Sequence, residues 1–453
     1  MVGLFDKIIN ATKVVDIKDI IHNLEKDKMI RWKPVGGYDS NCGIIEMNSD
    51  PVSSMVERIT NAIDAVLEKE FFIKQKELNG ITIESPRKLI ELIYGIKEGR
   101  LENCDEKIFE LMADNVSIIL RDSGNDDKPT VDFRDKGIGI KADEFSDTIL
   151  SLNKGRKIKK LYLIGAYGQG GSTSFSTSVY TVIISRKLST DNNPEKVAFT
   201  IVRYNPGILN VDKIGLYEYM VNSETDLPFE EEVKLDKFKE GTLVRHIEMD
   251  IRKYKTVITA PTSSLWYITH HYLFDTIYPF WIEDKRSNKK NERRIVKGNY
   301  RRLFNDDKQL VKYKKSADIK FGNQNSKIKI TWWVLHDKKI NNYTSSSKPI
   351  IITFNGQKHG DLDSSLIKKD LNLPYLDGYL IVHVNCDYID AETKRYLFAS
   401  TREAIKQTET LEKLKNTIID VLKSDEMLRK YDSDIKSSFL KNMDENISKK
   451  NSK

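Results

Sequence analysis

Apolar residues recur along this chain with two different spacings, which predict helices and strands. Helical spacing of three to four residues runs through 51–70 and includes Val56, Ile59, Ile63, Val66 and Leu67. We also predict helices at 84–113, 270–285 and about 401–431. Runs rich in β-branched and aromatic residues predict strands, at 116–122, 131–135, 178–187, 196–204, 241–249, 327–337, 349–357 and 378–388.

The order of these elements predicts two domains that mix helices and strands. At 453 residues the chain is too long for one ordinary hydrophobic core. The pattern restarts after about residue 255, so we predict one domain over 1–252 and a second over 253–431. Residues 432–453 end in a stretch with few apolar side chains, which predicts a flexible tail. The acidic stretch 224–240 is predicted to be an exposed connection.

Composition is that of a soluble globular protein, with 39% hydrophobic and 31% charged residues. No apolar run is long enough to cross a membrane, and the N-terminal residues lack the apolar core of a signal peptide. We therefore expect a cytoplasmic protein without a membrane partner. Cys42, Cys104 and Cys386 are scattered, which predicts free thiols and no disulfide framework or structural zinc site.

The net charge of +7 is concentrated in one segment. Residues 281–315 contain thirteen Lys or Arg against five Asp or Glu. Basic clustering of this kind is typical of surfaces that contact nucleic-acid phosphates. A solvated, lysine-rich connection has the same composition, so both interpretations stay open.

Three polar residues interrupt the apolar pattern of the helix at 51–70. Glu57, Asn61 and Asp64 lie at roughly 0°, 40° and −20° around an ideal helix, largely opposite the apolar arc. The polar face is therefore narrow and combines two carboxylates with one amide. A solvated helix face would also account for it, so its meaning depends on matching motifs elsewhere.

Two glycine-containing motifs follow along the chain, and a Gly-Thr pair at 241–242 opens a later predicted strand. Asp135, Gly137 and Gly139 end a predicted strand, where an acid could accept a hydrogen bond from an exocyclic amine such as that of adenine. The run 164–178 is rich in glycine and small hydroxyl residues, whose backbone N–H groups suit phosphate oxygens. It lacks the Gly-Lys-Ser/Thr of a P-loop, and no strand precedes it as a Rossmann motif requires. The basic run 151–163 before it is interpreted as either a mobile lid or a solvated loop.

Taken in order, these motifs resemble those of the GHKL ATPase superfamily, which includes gyrase B-type topoisomerases, heat-shock-90 chaperones, histidine kinases and MutL-type proteins. The resemblance covers about 190 residues. The matching positions are Glu57, Asn61, Asp64 and Ala65 in the first motif, Asp135, Gly137 and Gly139 in the second, Gly165, Gly168 and Gly170 in the third, and Gly241 with Thr242 in the fourth.

The resemblance implies an α+β Bergerat fold that holds ATP and Mg²⁺ between a helix layer and a mixed sheet. Glu57 would then be the general base, and Asn61 the magnesium ligand. Asp135 would contact the adenine amino group, with the Thr242 hydroxyl nearby. The glycines, including Gly171, would close around the phosphates, and Asp64 would support the site.

The resemblance also implies a second, ribosomal-S5-like α/β transducer domain that supplies a basic side chain to the γ-phosphate. Arg402 resembles the arginine of the heat-shock-90 middle domain, and Lys358 resembles the catalytic-loop lysine of gyrase and MutL types. The two-domain layout is similar to heat-shock-90-like or MORC-like ATPases. Family members often form ATP-dependent homodimers, so one is implied here.

We therefore expect a Mg²⁺-dependent ATPase that acts as a conformational switch on a protein partner, for example in a defence or remodelling complex. The alternative is an ATP-gated nucleic-acid clamp that uses the segment 281–315. Its phosphate contacts would include four arginines, Arg293, Arg294, Arg301 and Arg302.

Overall fold

A computed structural model describes most of the chain. The described residues are 3–38, 41–46, 51–152, 160–165, 172–190, 193–207, 214–255, 264–287, 292–323, 325–399 and 405–451. They form two compact units, one of residues 1–269 and 277–297 and the other of residues 270–276 and 298–453. Residues 277–297 thus group with the first unit, although they follow residue 252.

Ten strands form the sheet of the first unit. They are β1 (Ile30–Pro34), β2 (Val116–Arg121), β3 (Thr130–Asp135), β4 (Tyr180–Arg186), β5 (Val197–Asn205), β6 (Leu216–Asn222), β7 (Phe229–Glu231), β8 (Gly241–Ile247), β9 (Phe280–Asp284) and β10 (Glu292–Val296). Within the described part of the chain their order is β1-β6-β5-β4-β8-β3-β2-β9-β10, with β7 beside β5. Neighbours are antiparallel except β2 and β9, which are parallel. The sheet is therefore mixed.

Helices flank this sheet. In chain order the helices of this unit are α1 (Leu4–Asn10), α2 (Val14–Lys26), α3 (Cys42–Glu46), α4 (Pro51–Lys74), α5 (Pro86–Tyr94) and α6 (Glu106–Ala113). The first five residues of α7 (Leu265–Tyr272) also belong to it, and the last three belong to the second unit. Helices α1 and α2 bury Phe5, Ile17 and Ile21 in one cluster with Ile184 and Phe199 of the sheet. This burial explains why a short α1 is stable, since helices of its length rarely persist without tertiary packing.

The long helix α4 buries almost its whole circumference. Val56, Ile59, Ile63, Val66 and Leu67 are buried, as their helical spacing predicted. Ser54, Arg58, Thr60 and Asp64 are buried as well, so polar groups are enclosed on this helix too. Buried polar groups need hydrogen-bond partners. Ser54, Arg58 and Asp64 find theirs in the segments 160–165 and 172–177.

The described residues of the second unit form a separate five-stranded sheet. Its strands are β11 (Val311–Lys320), β12 (Lys327–Leu335), β13 (Ile350–Phe354), β14 (Gln357–Leu362) and β15 (Leu380–Tyr388), in the order β11-β12-β15-β13-β14. The helices are α8 (Asn299–Arg301), α9 (Ala391–Leu397), α10 (Glu409–Lys423) and α11 (Glu426–Asn451). Leu414 and Ile418 of α10 pack in one core cluster with Trp332 and Val382. This unit therefore has its own core.

These elements confirm the α+β class and every strand predicted from the sequence. The helix predicted at 270–285 is wrong beyond Tyr272, because Phe280–Asp284 forms β9 and pairs with β2. The stretch 224–240 is more than an exposed connection, since it contains β7 and buries Phe229 and Phe238. Helix α11 continues to Asn451, through residues whose composition predicted a flexible tail. Within the ranges described above, no helix is both long and apolar enough to cross a membrane.

Candidate nucleotide site

A narrow accessible stripe runs along the otherwise buried first half of α4. Ser53, Glu57, Asn61 and Ala65 are partly exposed, whereas the residues between them are buried. A spacing of four residues places these side chains one above another on a helix. Glu57 and Asn61 therefore face the same opening, one turn apart, as their spacing in the sequence predicted.

Asp64 lies beside this stripe but is only 2% exposed. Its Oδ1 accepts a hydrogen bond from the backbone N–H of Ile164 at 2.7 Å, and its Oδ2 accepts one from Gly165 at 3.1 Å. Asp64 therefore binds the backbone at the start of the glycine-rich run. In this position it holds that backbone on α4 from within the protein.

The rest of the segment 160–165 also packs on α4. Tyr162 stacks on Phe71 with ring centroids 4.4 Å apart, and Lys160 forms an ion pair with Glu68. Burial raises the pKa of Tyr162 to about 12, so its hydroxyl stays protonated at neutral pH. Together with Asp64, these contacts fix this segment along two turns of the helix.

Asp135 joins two motifs that are far apart in the sequence. Its Oδ1 accepts hydrogen bonds from the backbone N–H of Gly137 at 2.8 Å and of Thr242 at 3.1 Å. No residue in the described ranges donates to its Oδ2. Burial raises the pKa of Asp135 to about 6, although the nearby Arg134 and the two N–H groups oppose this rise. One carboxylate oxygen is thus held by the backbone, and the other has no donor from this part of the protein.

Gly137 and Gly139 allow the turn after Asp135 to approach two other chain segments. A Cβ atom on Gly137 would lie 2.4 Å from the carbonyl carbon of Ala65, and the N–H of Ile138 donates to the Ala65 carbonyl at 3.0 Å. Gly139 has a φ of +66°, and its Cβ would lie 1.8 Å from the carbonyl oxygen of Arg186. Only glycine fits both positions, which explains their spacing in the motif.

The Gly241–Thr242 pair lies next to Asp135. Gly241 has a φ of +103°, and a Cβ there would lie 2.2 Å from the Asp135 carbonyl oxygen. The Thr242 and Ser185 hydroxyls are 2.9 Å apart, and Ser185 Oγ accepts a hydrogen bond from the N–H of Ile140. Sequence reasoning missed Ser185, which is fully buried and links the two motifs.

Sequence reasoning also missed Arg58, which contacts the turn 172–177. Its Nε donates to Ser174 Oγ at 2.6 Å, and its guanidinium lies 4.8 Å from the ring centroid of Phe175. One turn earlier on α4, Ser54 Oγ is 3.2 Å from Thr173 Oγ1. The turn 172–177, which lies within the run 164–178, is therefore held on α4 by side chains of both elements.

Lys358, one of the two basic residues proposed for the γ-phosphate, belongs to the second unit. Lys358 Nζ donates to Asp361 Oδ2 at 2.9 Å and lies 2.9 Å from His271 Nε2. Burial and the neighbouring Lys358 lower the pKa of His271 to about 3, so it is a neutral acceptor for this lysine. Arg402 lies outside the described residues, as do Gly168, Gly170 and Gly171, so their assigned roles stay predictions.

The arginines of the basic segment 281–315 make contacts within each unit. In the first unit, Arg293 forms an ion pair with Asp114, and the Arg294 guanidinium lies 5.7 Å from the Trp266 ring centroid. In the second unit, Arg301 is buried and Arg302 forms an ion pair with Asp307. These contacts give the arginines structural roles, and binding of nucleic acid by this segment stays a prediction.

Magnesium at this site would need few protein ligands. Mg²⁺ in nucleotide sites is held by one or two protein oxygens together with phosphate oxygens and water. The accessible position of Asn61 on α4 fits this donor set, since its side chain carries an amide oxygen. Across the described ranges, no group of three or more His, Cys, Asp or Glu residues forms a metal site of protein ligands alone.

Comparison with models of known protein families and with proteins of curated function gives no match to this chain. The functional assignment therefore rests on the motifs and on the geometry described above.

Proposed function

We propose that this protein binds and hydrolyses Mg²⁺-ATP as a GHKL-type ATPase with a Bergerat fold. The observation that carries the proposal is the position of Asp135, whose Oδ1 is bound by Gly137 and Thr242 while Oδ2 has no donor among the described residues. A fixed acceptor beside an accessible helix stripe is suited to an exocyclic amine. The close approach of Gly137 to Ala65 of α4 supports the same interpretation.

Glu57 and Asn61 of the stripe, and Asp135 beside it, have separate roles in this proposal. Glu57 would accept a proton from the attacking water, because a carboxylate is a suitable general base when it lies within hydrogen-bond distance. Asn61, one turn further along, would offer its amide oxygen to Mg²⁺. The bound ion would neutralise phosphate charge during hydrolysis. Asp135 would select adenine through its amino group.

Asp64 connects this site to the segment 160–165, where the glycine-rich run begins. Asp64 lies on the helix that carries the stripe and binds the Ile164 and Gly165 N–H groups, so it would transmit a change at the stripe to that backbone. We propose that nucleotide occupancy moves this segment relative to α4 and that the movement acts on a protein partner. ATP-dependent dimerisation and a role in a defence or remodelling complex belong to the same hypothesis.

Equilibrium binding of Mg²⁺-ATP and Mg²⁺-GTP to the full chain tests the proposal. Guanine carries an oxygen where adenine carries its amino group, so it would face the Asp135 carboxylate with an acceptor. We expect ATP to bind at least tenfold more tightly than GTP, since a hydrogen bond to a charged group contributes about 1.5–3 kcal/mol. Equal affinity, or no binding of either nucleotide, would contradict the proposed site.

A further inference from the structure

Arg58 is a buried cation next to the proposed general base. Its side chain follows Glu57 on α4, and the residue is only 3% exposed. Its contacts in the described part of the chain are Ser174 Oγ and the Phe175 ring, and its Nη2 is buried without a hydrogen-bond partner. No carboxylate of the described residues forms an ion pair with it.

The guanidinium keeps its charge in this position. Burial lowers the pKa of Arg58 to about 9, and the neighbouring Glu57 opposes this decrease. Burial and the charge of Arg58 lower the pKa of His246, which is therefore neutral. The His246 Nδ1 contacts the hydroxyls of Ser178 and Thr181, and its Nε2 is buried without a partner. Ser174, Phe175 and the neutral His246 do not balance the charge of Arg58, and the neighbouring Glu57 forms no ion pair with it. A buried charge without an ion pair is costly inside a protein.

The charge of Arg58 lies on the helix that carries Glu57 and Asn61. Arg58 holds Ser174, and Ser54 one turn earlier contacts Thr173, so the turn 172–177 is attached to the helix that carries Glu57 and Asn61. Ser174 is fully buried and provides a fixed acceptor for Nε. A cation held this way attracts an anion bound at the accessible side of the same helix, and the attraction is stronger at low dielectric constant than in water.

We propose that Arg58 is the positioning residue that gives this site its preference for nucleoside polyphosphates over nucleosides. It does so by fixing the turn 172–177 on α4 and by contributing positive charge close to the phosphates. The inference rests on the proposed ATP site. It adds a residue that the sequence motifs do not contain.

The test compares ATP, ADP and adenosine as ligands of the full chain in the presence of Mg²⁺. The variants are Arg58→Met, which removes charge and hydrogen bond, Arg58→Lys, which keeps the charge, and Ser174→Ala, which removes the acceptor. Arg203→Met is the matched control, because Arg203 also stacks on an aromatic ring, that of Trp32, and donates to Glu218. Calorimetry gives the nucleotide affinities, ligand-observed NMR gives adenosine, and circular dichroism monitors folding.

We expect Arg58→Met to weaken ATP binding about 10- to 100-fold, consistent with the loss of a charged interaction. ADP should lose less, and adenosine affinity should be unchanged. Arg58→Lys and Ser174→Ala should give smaller losses in the same order, and Arg203→Met none. If Arg58→Met does not fold, the affinities of Arg58→Lys and Ser174→Ala for ATP and adenosine test the proposal instead.

Two results would overturn the inference, and they are distinguishable. If the wild-type protein binds ATP but the variants weaken ATP and adenosine equally, or neither, then Arg58 does not act on the phosphates. If the wild-type protein binds neither ligand, the ATP site itself is wrong and the role of Arg58 fails with it.

Discussion

The Oδ1 atom of Asp135 accepts a hydrogen bond from the backbone N–H of Thr242, 107 residues further along the chain, at 3.1 Å. The same oxygen accepts the N–H of Gly137, so one carboxylate oxygen fixes the turn between β3 and the following glycines. The second oxygen has no donor in the described residues. The two oxygens of Asp135 therefore have different surroundings, and a substitution can distinguish their roles.

Asp135→Asn separates the structural role of this residue from its role in binding. The amide oxygen can replace Oδ1 as the acceptor for Gly137 and Thr242, which leaves an NH₂ group in place of Oδ2. A donor then faces the adenine amino group, so we expect ATP affinity to decrease about 100-fold and the preference over GTP to disappear. Calorimetric titration of both nucleotides measures this, and unchanged ATP affinity would exclude Asp135 as the adenine contact.

The stability of the wild-type protein should depend on the protonation of Asp135. Because burial raises its pKa from 3.8 to about 6, the favourable contribution is fully present below about pH 4 and is lost as the pH rises through 6. The difference corresponds to about 3 kcal/mol at most. Urea unfolding between pH 4 and pH 7.5 should therefore show Asp135→Asn gaining stability relative to wild type as the pH rises. A constant difference across this range would contradict the assignment.

Asp64→Ala should destabilise the first unit. The substitution leaves the buried N–H groups of Ile164 and Gly165 without their acceptors, at a cost of about 2 to 5 kcal/mol in the free energy of unfolding. Asp114→Ala is the control, because Asp114 is half-exposed and its ion pair with Arg293 lies at the surface. Chemical denaturation measures both, and equal small effects would show that the Asp64 contacts contribute little.

Gly137→Ala tests the close approach between β3 and α4. The added methyl group would overlap the Ala65 carbonyl carbon, so we expect a loss of about 1 to 3 kcal/mol in unfolding free energy and weaker ATP binding. Gly43→Ala is a clean control, since no atom lies within 4 Å of its added Cβ. Thermal unfolding of the two variants gives the comparison. A Gly137→Ala protein as stable as Gly43→Ala would mean that this packing is loose.

The parts of the site that the sequence could predict are those with local backbone requirements. Gly137, Gly139 and Gly241 stand where any side chain would collide with neighbouring backbone, so these glycines mark their turns in the sequence itself. The helical spacing of Glu57 and Asn61 likewise places them on one stripe without any knowledge of the fold. The mixture of helices and strands in each domain followed from the same kind of pattern, whereas the α+β class was implied by the family resemblance.

Contacts between distant segments could not be predicted. The spacing of Asp64 on α4 does not indicate that the backbone 100 residues later supplies its donors. Arg58 had a detectable signal, because a cation stands there between the apolar Val56 and Ile59, but its acceptor Ser174 depends on the folding of the turn 172–177. Ser185 lies in a strand with no distinguishing pattern.

Edge strands were missed for a different reason. β1 and β11 lie at the ends of their sheets and carry several charged residues, which is how natural proteins protect exposed strand edges from pairing with other chains. Such strands lack the apolar alternation on which the prediction relied. The helix predicted at 270–285 failed because its apolar residues are divided among the end of α7, the connection 273–279 and β9.

The central claim is that Glu57 activates water for ATP hydrolysis in the stripe that it shares with Asn61. Steady-state hydrolysis of Mg²⁺-ATP, measured with the ATP dissociation constant in the same preparation, tests it most directly. Glu57→Gln keeps the size of the side chain but removes the base, and Glu77→Gln is the control, since Glu77 is an exposed carboxylate beyond the end of α4. We predict that Glu57→Gln binds ATP within a few-fold of wild type but hydrolyses it about 100- to 10,000-fold more slowly, whereas Glu77→Gln is unaffected. Wild-type turnover by Glu57→Gln, or no hydrolysis by the wild-type protein, would contradict the claim.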